Sequence, residues 1–303
     1  MLRLPALFTV PGDALAGAAA AQVRPSSRTV LAIGASLCLY EAGMALNDWA
    51  DREEDAAERP HRPLPSGRIR PGAALAAAGA LTVAGLALAA RAGRPALTVA
   101  APLAATVWAY DLGLKRTPAG PVAMAGARAL DLLMGAAATQ GRTREALPSA
   151  ALLGTHTLAV TTVSRHETGG GTPLAPLAAL AATAFLTQVT TRPPAGPGDA
   201  ATRGLPGTTP RAALSAVTRL RPGAAELRTA LAALYATTAA RPYFHAALNP
   251  SPPLTQRAVG GGIRATIPLQ AALSARSGAP VTALAIAALG PLAARFAKKV
   301  SVT

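Results

Sequence analysis

Residues 71–90 read PGAALAAAGALTVAGLALAA, a stretch of 20 residues without a charge. A helix needs about 20 mostly apolar residues to cross the hydrocarbon layer of a bilayer. Over the whole chain of 303 residues, 51% are hydrophobic and only 14% are charged, whereas soluble proteins carry roughly 25% charged residues. The composition therefore excludes a disordered chain and disfavours a soluble enzyme.

Runs of similar length recur along the chain. Four more lack Asp, Glu, Lys and Arg altogether: 95–110, 146–164, 168–191 and 277–294. Five others carry one or two charges: 4–23, 29–46, 117–139, 229–248 and 258–275. The last is interrupted by Arg264, and we expect it to be short or re-entrant. Since spanning segments must satisfy their backbone internally, we predict an all-α fold: a polytopic membrane bundle of about nine transmembrane helices, or ten, in a single domain over residues 1–303.

Composition and charge predict what the other segments do. Run 4–23 contains Asp13, so we interpret it as the first span rather than a signal peptide. Segment 191–222 is rich in Pro, Gly, Thr and Arg and predicts a flexible loop. The net charge is +15, but the Arg residues are scattered between apolar runs, which argues against a nucleic-acid partner and for contact with membrane lipids.

The basic residues also indicate an orientation. If the spans are as drawn, the loops 48–70, 111–117 and 164–172 lie on one side and carry eight Lys and Arg, against six in the opposing short loops. This excess favours the cytoplasmic side for the first set. The Arg-rich segment 191–222 conflicts with that orientation unless a span is miscounted. We therefore expect a multi-pass protein of the cell membrane with these loops facing the cytoplasm.

An acidic cluster follows the second predicted span. Six of the chain's 14 acidic residues lie in 48–58. On a continuous helix Asn47, Asp51 and Asp55 share one face, and Asp48 flanks it. Carboxylate and amide oxygens suit Mg²⁺, which keeps several waters and is completed by substrate phosphates. The cluster therefore predicts a magnesium site at one end of the bundle.

Basic residues come directly after the acids. Residues 59–68 read RPHRPLPSGR, and Arg59 and Arg62 can each bind phosphate oxygens through two parallel hydrogen bonds. A solvated, charged loop that merely ends a span is the alternative interpretation. The ordered spacing N-D-x-x-D-x-x-x-D, followed by R-P-x-R-P-L-P-S-G, favours a site for a diphosphate carried on a lipid tail.

These two motifs together resemble the first aspartate-rich motif of the UbiA-type prenyltransferase superfamily, and the span pattern is similar to that of the family along nearly the whole chain. The resemblance implies a helical membrane enzyme, typically with nine spans. Such an enzyme uses Mg²⁺ to bind a prenyl diphosphate and joins the prenyl chain to an acceptor as diphosphate leaves. By resemblance, Asn47, Asp48, Asp51 and Asp55 bind the metal, and Asp51 and Asp55 are catalytic.

The second loop carries a further element. Tyr110-Asp111-x-x-x-Lys115-Arg116 resembles the family's Tyr-x-x-x-Lys/Arg element, which implies a catalytic Lys115 and diphosphate contacts from Tyr110 and Arg116. An interfacial tyrosine beside basic anchoring residues is the alternative. Further on, Arg128 and Asp131 lie inside a predicted span. Such residues pair with one another or face a cavity, where the two would orient the diphosphate or the acceptor, and Arg128 is a candidate for binding diphosphate.

The third loop departs from the family pattern. Many members carry an Asp-x-x-x-Asp motif after the sixth span, but residues 164–171 read SRHETGGG. We expect Glu167 to act as a metal ligand and catalytic residue, and Arg165 to contact the diphosphate. His166 is either a general base or polar surface. With KRTPAG at 115–120, this loop looks similar to a bacterial branch described as EboC-like.

The predicted function is Mg²⁺-dependent prenyl transfer from a prenyl diphosphate to a small-molecule or lipid acceptor. Trp49, Trp108 or Tyr110 would stabilise the prenyl cation. An aromatic ring, a sugar-like polyol, a glycerol phosphate and a haem precursor all remain open as acceptors. The main alternative is a non-catalytic isoprenoid-lipid carrier of the same fold. A transporter would place its acids at mid-span, and a soluble isoprenoid synthase would need polar outer faces, which run 71–90 lacks.

Overall fold

The computed structural model describes residues 7–167, 171–192 and 223–300, and all regular secondary structure in these residues is helical. Two short 3₁₀ turns, Leu114–Arg116 and Arg144–Ala146, supplement the helices. The predicted all-α fold is thus confirmed. The helices are α1 (Val10–Ala20), α2 (Ser27–Ala50), α3 (Arg52–Glu58), α4 (Pro71–Ala92), α5 (Arg94–Leu112), α6 (Gly120–Gln140), α7 (Leu147–Ser164), α8 (Leu174–Thr191), α9 (Ala224–Leu248), α10 (Pro252–Arg276), α11 (Pro280–Ala287) and α12 (Leu289–Val300).

Eight of these helices, α2 and α4 to α10, are 18 to 25 residues long, which at 1.5 Å per residue is roughly 27–38 Å. Five helical segments combine sufficient length and hydropathy to cross a membrane: Ser27–Ala50, Pro71–Ala92, Gly120–Gln140, Arg144–Ser164 and Leu174–Thr191. Large apolar side chains such as Val83, Phe185 and Phe244 point outward and are more than half exposed. These features define a membrane-type helical bundle, while the count of nine spans stays a prediction.

Proline and glycine set the helix boundaries. Pro71 and Pro95 lie in the first turns of α4 and α5, where a missing backbone N–H costs nothing. Gly93, with φ of 140°, ends α4, and Gly141, with φ of 80°, ends α6. Both angles are strained for residues with a side chain, so these glycines permit the sharp reversals between antiparallel helices.

The helices pack in two groups. In one group α2 packs along α4 and α5 along α6, and in the other α9 packs between α8 and α10. Each group has its own apolar core, and α1 and α6 contribute side chains to both, for example Ala14 and Met134 to the first and Ala16 and Leu132 to the second. The cavity described below lies between the two groups.

Three predicted segments differ from the structure, and a fourth lies almost wholly outside the described residues. In the described part of run 4–23 lies the 11-residue α1, whose residues are mostly buried. Its Asp13 is enclosed by partners on α6 and α10. Run 258–275 is part of the full-length α10, since the exposed Arg264 side chain reaches back towards Gly260 and does not break the helix. Run 277–294 is divided between α11 and α12. The predicted loop 191–222 lies, beyond Arg192, outside the described residues.

Glycines allow α1 and α6 to touch. A Cβ atom on Gly17 would lie 2.0 Å from the carbonyl oxygen of Leu132, and a Cβ atom on Gly135 would lie 2.4 Å from the Cα atom of Ala14. Small residues at helix crossings let backbones approach in this way in membrane bundles. The crossing holds Asp13 against α6, and it therefore determines the shape of the cavity.

We predict that Gly135→Ala lowers the midpoint of thermal unfolding in detergent, because overpacking costs about 1–3 kcal/mol. Gly126→Ala is the matched control on the same helix, since a Cβ atom there meets nothing within 4 Å and alanine favours the helix. Its midpoint should equal or exceed that of the wild type. Equal midpoints for both variants would show that the α1–α6 crossing is loose.

Candidate active site

A cavity of about 500 Å³ lies between the two groups of helices. One end opens at the loops, and we call it the mouth; it is lined by Asn47, Asp51, Arg59, Arg62, Tyr110, Asp111, Ser164 and Glu167. The other end lies at mid-helix, and we call it the floor; it is lined by Thr9, Ser36, Arg128, Asp131, His156 and Thr266. Between them the wall is largely apolar. Ser36 and Asn47 are 11 residues apart on α2, so the two ends are separated by roughly 16 Å.

The mouth forms where α2 gives way to α3. Asp51 separates the two helices with φ of −94° and ψ of 9°, and its N–H donates to the carbonyl of Asn47 at 2.9 Å. Gly43, one turn before Asn47, lets α2 approach α5 closely, because a Cβ atom there would lie only 3.0 Å from Val107. This approach allows Asn47 Nδ2 to donate to Asp111 Oδ1 at 3.1 Å.

Asp55 has a different environment from Asn47 and Asp51. Its side chain is 3% exposed and receives Arg62 Nη1 at 2.5 Å and Arg59 Nη1 at 3.3 Å. Arg62 also lies 3.9 Å from Asp48. Neither Asp48 nor Asp55 lines the cavity, which disagrees with the predicted common face. The reason is that Asp55 turns towards the two arginines and anchors the segment 59–70.

The second loop places a cation between carboxylates. Lys115 Nζ forms an ion pair with Asp51 Oδ1 at 2.6 Å and lies 4.0 Å from Asp111 Oδ1. Arg116 Nη2 is 3.3 Å from the same oxygen of Asp51 and 3.5 Å from Glu54. Lys115 and Arg116 therefore reach the acidic cluster, although they do not themselves line the cavity.

The third loop contributes from the opposite wall. Glu167, which follows α7, lines the mouth. Arg165 is exposed and donates from Nη1 to the carbonyl of Thr117, so it joins the second and third loops. Its predicted contact with the diphosphate stays a prediction. His166 Nδ1 lies 3.2 Å from the carbonyl of Thr162 in its own helix. Residues 168–170 lie outside the described residues.

The floor is a buried polar network that crosses three helices. Arg128 Nη1 lies 2.8 Å from Asp13 Oδ2, and its Nη2 donates to Thr9 Oγ1 at 3.2 Å. Gln270 Nε2 donates to Asp13 Oδ1 at 2.6 Å. Arg128 is the ninth residue of α6, and this depth places it at the floor. The ion pair of Arg128 is thus with Asp13 and not with Asp131 as one alternative predicted, whereas both Arg128 and Asp131 line the cavity as the other alternative predicted. Diphosphate binding by Arg128 stays a prediction.

His156 joins three helices beside the floor. Its Nε2 lies 3.0 Å from the carbonyl of Gly262, and its Nδ1 lies 3.2 Å from the hydroxyl of Tyr235. Because a carbonyl only accepts, the hydrogen sits on Nε2, and Nδ1 accepts from Tyr235. The imidazole is thereby held in one orientation, and it ties α7, α9 and α10 together.

Two tyrosines lie in the cavity. Tyr110, one of the three aromatic residues predicted to stabilise a cation, lines the mouth, and Tyr40 lines the wall on α2. Trp108 instead donates to Thr82 Oγ1 at 3.0 Å. Trp49 lies under the guanidinium of Arg52 at 4.7 Å. The tyrosines are thus the aromatic side chains placed to meet an electrophile.

The donor set at the mouth fits Mg²⁺ only together with a phosphate. In the part of the chain that the structure describes, no three His, Cys, Asp or Glu side chains gather into a metal site by themselves. Nevertheless Asp51 and Asp111 present carboxylate oxygens to one cation, the ammonium of Lys115, and Asn47 lies beside them as a donor to Asp111. Mg²⁺ takes one or two carboxylates and completes its shell with waters and substrate phosphates, so these residues fit it.

Several residues of the cavity were not predicted from the sequence. Asp111 lies four residues before Lys115, so helical spacing brings its carboxylate within reach of that lysine. It was nevertheless not predicted as a site residue. Asp13 and His156 each stand alone in apolar runs, and an isolated polar residue inside a span is itself a signal of a functional or structural partner. Gln270 gives a weaker signal, since amides are common at helix interfaces.

The chain is a polytopic helical bundle with acidic and basic residues at the mouth of a largely apolar cavity. Residues 7–190 match the UbiA prenyltransferase family. The chain therefore belongs to this family, as its first motif suggested, and it is an integral membrane protein.

The curated relatives are similar over part of their length. The chain is 42% identical over 96 residues to "Digeranylgeranylglyceryl phosphate synthase" of Methanothrix thermoacetophila, covering 31% of this chain and 36% of the relative. It is 36% identical over 113 residues to the synthase of the same name in Methanopyrus kandleri, covering 37% and 40%. The aligned segment thus spans well under half of each relative. Both organisms are archaeal, so these relatives do not single out the EboC-like branch.

Solved structures share the fold. One structure is described as "Structural and mechanistic insights into the biosynthesis of Digeranylgeranylglyceryl phosphate synthase in membranes". It superposes with a TM-score of 0.60 at 14% identity, and the match covers 89% of this chain and 93% of the other. Another, a UbiA homologue from Aeropyrum pernix K1, gives a TM-score of 0.56 at 20% identity and covers 87% and 98%. At these identities the likeness concerns the fold alone.

We predict that Asp55→Asn exposes the segment 59–70 to trypsin, because losing a buried carboxylate leaves Arg59 and Arg62 without their anchor. Cleavage after Arg68 should be on the order of tenfold faster than in the wild type, since Arg59, Arg62 and Arg70 each precede a proline, which trypsin does not cleave. Glu54→Gln is the control, since its side chain is 56% exposed and surface pairs contribute little. Equal cleavage of Asp55→Asn and the wild type would contradict an anchoring role for Asp55.

Proposed function

We propose that this protein transfers a prenyl group from a prenyl diphosphate to an acceptor in an Mg²⁺-dependent reaction. The observation that carries this proposal is the mouth of the cavity, where Asp51 and Asp111 face Lys115 and two arginines above a largely apolar interior. Such a mouth suits an anionic head group with its metal, and the apolar wall suits an isoprenoid chain. The names of the curated relatives support the same class of reaction.

Asn47, Asp51 and Asp111 would hold the metal, with Glu167 on the opposite wall. When bound, Mg²⁺ supplies positive charge that stabilises the departing diphosphate. Arg59 and Arg62 line the mouth and can pair with phosphate oxygens. Lys115 Nζ lies 2.6 Å from Asp51 Oδ1. A phosphate oxygen bound at the mouth would take the place of this carboxylate as the partner of the ammonium group.

The transfer itself needs little covalent help from the protein. The bond between the prenyl carbon and the diphosphate oxygen breaks, a nucleophilic atom of the acceptor forms a bond to that carbon, and the acceptor's proton leaves. Tyr40 and Tyr110 are placed to stabilise positive charge on the prenyl carbon. Apolar wall residues such as Leu39, Leu103 and Val160 keep water from quenching it.

The setting of the reaction follows from the membrane bundle. We propose the cell membrane as its location, with the mouth on the cytoplasmic side, on the excess of basic residues in the three mouth loops. Membership of the EboC-like branch, suggested by the third loop, is part of the same proposal. A non-catalytic isoprenoid carrier is the alternative function, and the single acid of residues 164–167 favours it.

We predict that Asp51→Asn abolishes Mg²⁺-dependent binding of a non-hydrolysable geranylgeranyl diphosphate analogue, because it removes a charged oxygen that faces the cavity. The measurement is calorimetric titration of the detergent-purified chain with and without Mg²⁺. Glu53→Gln is the control: its side chain is 86% exposed and pairs only with Arg52. If Asp51→Asn binds the analogue as the wild type does, the metal assignment is wrong; if the wild type itself does not bind, the proposed function is wrong.

We predict that Glu167→Gln raises the Mg²⁺ concentration needed for half-maximal binding of the same analogue by about threefold to tenfold, because one carboxylate of the mouth is lost. Glu145→Gln, at the opposite end of the bundle, should leave the titration unchanged. Superimposable curves for Glu167→Gln and the wild type would remove the third loop from the metal site.

A further inference from the structure

The end of the bundle opposite the mouth is strongly basic, and we call it the basic end. In the described residues it carries nine arginines, around the joins of α1 with α2, α4 with α5 and α6 with α7 and at the nearby ends of α8, α9 and α10, but only two acids, Glu145 and Glu226. None of the ion pairs among the described residues includes an arginine of this end. Such an excess of arginine at a membrane surface attracts anionic lipid head groups.

Two of these arginines are held side by side at the end of α8. Arg228 Nε donates to the carbonyl of Thr191 at 2.8 Å, and Arg276 Nε donates to the carbonyl of Arg192 at 3.3 Å. The two carbonyls belong to consecutive residues, whose Cα atoms are about 3.8 Å apart. The guanidinium groups of Arg228 and Arg276 are therefore electrostatic neighbours, and both side chains are partly buried.

Capping of α8 accounts for only one edge of each guanidinium group. Carbonyls at the end of a helix favour cations, and each of the two bonds to them uses Nε. In the described part of the chain the Nη groups of Arg228 and Arg276 have no hydrogen-bond partner, and two like charges are left adjacent. The Nη edges match the geometry of phosphate oxygens, which arginine binds through two parallel hydrogen bonds.

A groove beside the two arginines suits the rest of a lipid molecule. It has a volume of about 670 Å³, and its lining includes Leu227 and Ala275, the sequence neighbours of the two arginines, and a third arginine, Arg24. Val281 also lines the groove and is 80% exposed, and Leu284, one turn further along α11, is 55% exposed. An apolar outer face next to clustered arginines fits a head group that carries acyl chains, whereas a free anion would need the arginines alone.

We propose that the basic end binds an anionic phospholipid, with the head-group phosphate between Arg228 and Arg276 and the acyl chains along the outer face of α11. The phosphate neutralises the two adjacent guanidinium groups and joins the ends of α8, α9 and α10, so the bound lipid stabilises the bundle. Because the site lies at the end opposite the mouth, this lipid is a bound partner and not a substrate of the transfer.

The test is thermal unfolding of the detergent-purified full chain, titrated with dioleoylphosphatidylglycerol. Dioleoylphosphatidylcholine is the zwitterionic lipid with the same tails, and glycerophosphoglycerol is the anionic head group without tails. A ligand of the folded state raises the midpoint as its concentration rises. We expect a rise with phosphatidylglycerol and none with the other two at equal concentrations. Arg228→Gln and Arg276→Gln should each raise the phosphatidylglycerol concentration for the half-maximal shift by about fivefold.

Controls separate lipid binding from capping and from diffuse charge. Arg91→Gln removes an exposed arginine of the same end, and its titration should follow the wild type. A purely capping role would lower the starting midpoint of Arg276→Gln and leave its lipid titration unchanged. Where a glutamine variant does not fold, lysine replaces the same arginine, since it keeps the charge but cannot offer two parallel hydrogen bonds, and weaker binding is again expected.

Three results would overturn the proposal: equal shifts by the two lipids, an equal shift by glycerophosphoglycerol, or a wild-type titration in the folded variants of Arg228 and Arg276. A loss in Arg91→Gln as large as theirs would also contradict a specific site. The test does not depend on the reaction at the mouth, and Mg²⁺-dependent binding of the geranylgeranyl diphosphate analogue should be the same in all these variants as in the wild type.

Discussion

Burying a charge among apolar helices is costly unless an opposite charge lies against it, and this constraint organises the bundle. The ion pair of Asp13 with Arg128 fixes α1 against α6, and the glycines at that crossing bring the two backbones close enough to form it. The contacts of Asp55 with Arg59 and Arg62 anchor the segment that follows α3. Where charges pair, helices and loops are held in position.

The same constraint divides the cavity into two ends with different chemistry. At the mouth, Lys115 lies between Asp51 and Asp111, and these pairs can open to a metal and a diphosphate because the loops are partly exposed. At the floor, Arg128 is paired with the fully buried Asp13, and releasing it to a substrate would leave that carboxylate unpaired.

The sequence predicted what depends on local spacing. The apolar runs indicated the helical bundle, and the spacing from Asn47 to Arg62 located the mouth, since those residues lie within one loop and its flanking helix. Contacts between distant segments were missed. Nothing near Arg128 indicates that its partner is Asp13 rather than Asp131, because the choice depends on the close α1–α6 crossing. The direction of Asp55 likewise depends on how the segment 59–70 folds back.

The most direct test of the account is a structure of the full chain in lipid with Mn²⁺ and a non-hydrolysable geranylgeranyl diphosphate analogue. The account predicts anomalous density for Mn²⁺ beside Asn47 and Asp51, with Lys115 moved from Asp51 to a phosphate oxygen and the Asp13–Arg128 pair unchanged. Metal and diphosphate bound at the floor, or Lys115 still on Asp51 beside a bound diphosphate, would contradict it.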